Sequence, residues 1–97
     1  MATFISLLNF TDQGIRNAKK TVERADTFKK AARKIGVNIQ QIYWTLGSYD
    51  LVVIAEAPDD ETAMSLLLGL SGLGNVRTQT LRAFSGEQMT SVFARFS

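Results

Sequence analysis

The stretch Leu51–Ala57, LVVIAEA, is apolar on both of its alternating sets: Leu51, Val53 and Ala55 point one way along an extended chain, Val52 and Ile54 the other. A strand with this pattern needs cover on two sides, which predicts a central strand. Pro58, with no N–H to give to a ladder, ends it. Just upstream lie Tyr43, Trp44, Thr45, Tyr49 and Asp50, the densest aromatic and polar cluster in the chain, grouped around Gly47-Ser48. That pair reads as a short hairpin connection, with the central strand starting at Tyr49.

The rest of the chain supplies elements to place around this strand. Thr3–Leu8 is β-rich and mostly apolar, a second strand buried on both faces. Asn9–Gly14 offers turn and cap residues, with Thr11 or Asp12 able to accept from the first free N–H groups of a helix. From Ile15 the apolar positions Ala18, Val22, Ala25, Phe28, Ala32 and Ile35 follow three-four spacing, which predicts one long helix capped by Gly36. Val37–Leu46 mixes β-branched and aromatic residues with Asn38, Gln40 and Gln41, as an edge strand does. Asp59, Asp60 and Glu61 suit the start of a second helix, running roughly from Asp60 to Leu73. Its apolar stripe, Ala63, Leu66, Leu67 and Leu70, is widened by Met64 and Leu68 beyond what one sheet face needs. Asn75–Phe84 reads as the other edge strand, and Met89, Val92, Phe93 and Phe96 predict a short amphipathic helix within Ser85–Ser97.

The order β-α-β-β-α-β is that of an α+β, ferredoxin-like domain: a four-stranded antiparallel sheet carrying both helices on one face, here with a short C-terminal helix added. The other face is left bare. With Phe4, Leu8, Val52 and Ile54 on it, a monomer would expose an apolar patch of interface size, so at least a homodimer is expected, sheet against sheet. A length of 97 residues fits a single domain, residues 1–97.

Cysteine and histidine are both absent, which removes disulfides, thiolate chemistry and the usual general base, and argues against an autonomous hydrolase. No cofactor or metal is expected. MATFISLLNF lacks a basic leader and no apolar run approaches a membrane span, so a cytoplasmic protein without membrane contact is expected. Eight basic residues between Arg16 and Lys34 face only Glu23 and Asp26, although a charge-rich helix face most often simply solvates.

Three stretches, NFTDQGIRNAKKT at Asn9–Thr21, YWTLGSYDLVVIAEAPDDETA at Tyr43–Ala63 and GNVRTQTLRAF at Gly74–Phe84, together resemble the GYD-domain family, whose naming element stands here as Gly47-Ser48-Tyr49-Asp50. The resemblance implies a ferredoxin-like fold of the dimeric α+β barrel type and no established reaction.

Candidate functional residues follow from their chemistry. Arg16, beside the first strand-to-helix junction, suits a ligand carboxylate or phosphate, with an ion pair to Asp12 or Asp50 as the alternative; Arg77 and Arg82 are further candidates. Tyr43 and Trp44 point to opposite faces of one strand, one toward core or dimer interface, the other toward a sheet–helix cleft. Tyr49 and Asp50 serve either the turn or a ligand. The favoured function is a non-enzymatic homo-oligomer holding a small anionic or aromatic molecule near Arg16, Tyr43, Trp44, Tyr49 and Asp50. The alternative is a dimeric-barrel enzyme such as a cofactor-independent monooxygenase with Asp50 or Tyr49 as base. RNA binding is disfavoured, because Val52, Ile54 and Glu56 give the central strand no aromatic platform.

Overall fold

The computed structural model describes residues 1–96. Strand β1 (Ala2–Phe10) leads into a short helix α1 (Asp12–Arg16), a 3-10 turn at Ala18–Lys20 and helix α2 (Thr21–Lys34). Strands β2 (Asn38–Trp44) and β3 (Leu51–Ala57) form a hairpin, followed by α3 (Asp60–Gly72), β4 (Val76–Ala83) and α4 (Gly86–Phe96). The strands make one antiparallel sheet in the order β2-β3-β1-β4, so β1 and β3 are central. This is the ferredoxin-like α+β arrangement expected from the element order. The expected C-terminal tail extends to Ser97, which lies outside the described residues.

Pairing register decides which side chains share a face. Phe4 stands opposite Ala55, Ser6 opposite Val53 and Leu8 opposite Leu51, and this set packs against α2 and α3. Phe4 and Leu8 are therefore under the helices and not on the bare face, a correction to the sequence reading. Their neighbours Ile5 and Leu7 take the open face instead, opposite Ile54 and Val52, because a shift of one residue exchanges the two faces of a strand. Ser6, the one polar residue buried there among those described, pairs its hydroxyl with that of Thr80 at 2.8 Å.

Three local features differ from the sequence reading, each for a physical reason. The pairing of β2 skips Gln40, passing from Ile39–Ala55 to Gln41–Ile54. This bulge lets Ile39 and Ile42, three residues apart, both reach the helix-side core. The hairpin connection is longer than Gly47-Ser48: Thr45 N–H donates to Asp50 O at 2.9 Å across the loop, and β3 starts at Leu51. Gly47 sits there at φ +119, a conformation open mainly to glycine. The first helix, expected unbroken from Ile15, is interrupted at Asn17, whose carbonyl accepts from Lys20 N–H at 3.0 Å and from Arg24 Nη1 at 2.7 Å. With that acceptor taken, the chain makes one tight turn before α2, and Ile15 and Val22 end up more than half exposed.

α4 is set apart from this body. None of its residues is buried, and the Cα radius of gyration, 14.7 Å, exceeds the roughly 12.5 Å expected for a compact chain of this length.

α3 begins on Asp59, whose carboxylate accepts from Thr62 N–H at 2.7 Å. The Thr62 side chain first, and then its backbone N–H, hold the Asp59 carboxyl below its ordinary value of 3.8. A depressed folded-state pKa contributes stability fully above the ordinary value, and that contribution is lost as the pH falls through the folded one. Asp59→Asn keeps an N-cap acceptor without a titrating group, so its melting temperature is expected to depend less on pH below 3.8 than that of the parent. Identical pH profiles in thermal melts contradict this.

Candidate functional site

The helix layer closes on the sheet at one end only. There Ala32, Val37, Ala57 and Ala63 are buried together, small enough for both helices to sit close to the strands. At the other end Phe28 of α2 and Leu70 of α3 are only partly buried over Leu8, Leu51, Val53 and Val76. Between them lies an apolar groove of about 620 Å³ whose rim includes Phe10, Leu73 and Asn75, within the range of small-molecule pockets. Among the described residues its only charged lining is Glu23 and Arg24. The Arg24 guanidinium lies 6.0 Å from the Phe10 ring centroid and donates to Asn17 O.

The open end of this groove is held by a latch between two chain segments far apart in sequence. Thr11 Oγ1 accepts from Gly14 N–H at 3.1 Å, the expected helix cap, and donates to Gly74 O at 2.6 Å. Thr11 N–H donates to Asn75 O at 3.0 Å, and Gln13 Nε2 donates to Leu73 O and Asn75 Oδ1, both at 3.0 Å. Gly14 is buried against this loop so closely that a Cβ there would lie 1.9 Å from Asn75 O. Asp50 adds the third segment. Its Oδ2 accepts from Phe10 N–H at 2.8 Å while its own N–H donates to Leu8 O at 2.8 Å, extending the β1–β3 ladder past the last paired residues.

The five residues singled out from the sequence lie on different surfaces, and none lines the groove. Arg16 is exposed on α1 and donates from Nε to Asp12 O at 3.2 Å. Trp44 is the helix-side member of its pair, its indole N–H donating to Thr21 Oγ1 at 3.0 Å. Tyr43 takes the open sheet face, opposite Val52. Tyr49 reaches that same face, where its hydroxyl donates to Gln79 Oε1 at 2.9 Å. Arg77 is exposed on the β4 edge, and Arg82 stacks 4.5 Å from the Phe84 ring centroid and 5.7 Å from that of Phe4. Sequence reasoning missed Arg24, Phe28 and Leu70 as site residues; the one available signal was the excess width of the α3 apolar stripe. Among the described residues no cluster of His, Cys, Asp or Glu is arranged to hold a metal ion, and no helix is long and apolar enough to cross a membrane.

Fold and latch together define a ferredoxin-like α+β domain whose signature stretches converge on one end of the sheet. The chain belongs to the GYD-domain family, whose profile matches residues 4–93. It is 38% identical over 84 residues to the glutamine synthetase and cystathionine beta-lyase binding protein of Thermus thermophilus, covering 86% of this chain and 88% of that protein. The fold is similar to the crystal structure of TTHA0845 from the same organism, with a TM-score of 0.58 and 25% identity, over 89% of this chain and 96% of the other.

Because the obstacle to a side chain at position 14 is a backbone carbonyl, Gly14→Ala must separate α1 from the β4 loop. The expected cost is at the upper end of about 1–3 kcal/mol, seen in thermal melts as a midpoint lower by roughly 12–24 °C. An unchanged midpoint contradicts the latch.

Proposed function

We propose that this chain is a non-catalytic cytoplasmic module that self-associates through its open sheet face and binds other proteins. The observation that carries this is the layout of that face. Leu81, Ile5 and Ile54 are cross-strand neighbours in one row, and Leu7, Val52 and Tyr43 in the next. Polar residues ring them: Thr3 and Glu56 beyond one end, Asn9 and Arg77 beyond the other, Gln79 and Gln41 at the sides. An apolar centre inside a polar rim is the anatomy of a protein interface, and a patch of this kind pairs with its own copy across a two-fold axis. The name of the Thermus relative supports enzymes such as glutamine synthetase or cystathionine beta-lyase as the partners.

Ile54→Arg sets a charge in the middle of the patch without touching the helix-side core. It is expected to halve the particle mass measured by light scattering and to leave the melt cooperative; an unchanged mass rejects self-association through this face. The partner half is tested by binding the purified protein to immobilised glutamine synthetase and cystathionine beta-lyase from the same host, where binding to neither contradicts it.

A second reading is favoured by the groove. An apolar or aromatic molecule fits its volume, with an acidic group toward Arg24. Fluorescence enhancement of an apolar anionic dye by the parent, and its loss in Leu70→Arg, is the expected result. A dye response that Leu70→Arg leaves intact removes the groove from consideration.

A further inference from the structure

The chain carries an apolar groove without a cover and an amphipathic helix without a groove. On α4, Met89, Val92, Phe93 and Phe96 stand at i, i+3, i+4 and i+7, the anchor spacing of a helix that lies in an apolar groove. Phe93 is 66% exposed and Phe96 92%. Among the described residues of α4 none is buried.

We propose that two copies exchange their C-terminal helices reciprocally, α4 of each seating between α2 and α3 of the other. α4 does not lie in the groove of its own chain, whose described lining contains none of its residues. α4 leaves β4 after Ala83, which pairs with Thr3, whereas the groove is floored by Leu8 and Val76 at the opposite end of the sheet. Those ends are separated by about 23 Å of strand, and only Phe84 and Ser85 link β4 to α4. The molecule is accordingly drawn out to 52 Å in its longest dimension against 18 Å in its shortest.

Size fits the exchange. A helix of 11 residues is about 16 Å long and 10 Å wide, so two such helices and two grooves bury on the order of 1,200 Å² in all, the lower bound of a stable interface. α3 points the same way from a second direction. It places Leu66 and Leu70 toward the groove and leaves Met64 and Leu68 exposed on its outer side, the all-round apolar character of a helix meant to be covered on every side.

This contact uses surfaces separate from the open sheet face, so the two fail separately. The chain has no cysteine, and single-cysteine variants report the contact directly. Phe93→Cys mixed with Leu70→Cys is expected to form an interchain disulfide at least tenfold faster than Phe93→Cys mixed with Lys30→Cys. Equal rates overturn the proposal, and so does a double variant that closes mainly within one chain. In the Ile54→Arg background the exchange leaves a dimer, which Phe93→Asp then converts to a monomer; Phe93 is 66% exposed, so that change does not unfold the domain. An Ile54→Arg protein already monomeric overturns helix exchange while leaving the sheet-face reading intact.

Discussion

Two central strands carry apolar side chains on both faces, and the chain supplies helices for only one of them. Everything distinctive about the molecule follows from how that mismatch is handled. On the helix side, alanines at 32, 57 and 63 bring α2 and α3 down onto the strands at one end. On the other side Ile5, Leu7, Val52 and Ile54 stay partly exposed, and covering each gains part of the about 1.5–3 kcal/mol that full burial of such a side chain provides. The assembly proposed above recovers that energy between copies instead of within one.

The residues that carry the family signature hold the backbone together in this chain. Asp50 continues the β1–β3 ladder through Phe10 N–H, Gly47 turns the hairpin, and Thr11, Gln13 and Gly14 lock to Leu73, Gly74 and Asn75. All of them sit around the open end of the groove. A signature whose side chains are committed to backbone groups preserves a shape, which fits a binding module better than a reaction centre.

The element order, the central position of Leu51–Ala57 and the bare sheet face were legible in the sequence because each rests on local periodicity. What lay beyond it rests on distances between remote segments. Phe4 and Leu8 differ from Ile5 and Leu7 only in strand parity, and parity depends on pairing with β3. The break at Asn17 depends on Arg24, seven residues away, taking its carbonyl. Thr11 was readable as a cap, but its second bond goes to Gly74, 63 residues on. Tyr43 and Trp44 are adjacent in sequence and part in space, since neighbours on a strand face opposite ways, while the Tyr49 hydroxyl reaches Gln79 on the same face as Tyr43. The groove itself is a gap between two helices, and no single residue announces a gap.

The proposed self-association covers the apolar surface left uncovered within the chain, and both contacts between copies depend on it. Light scattering of the unmodified protein at micromolar concentration tests it most directly. The expected molar mass is an even multiple of the 10.7 kDa chain, and a particle of the chain's own mass that persists as concentration rises contradicts it.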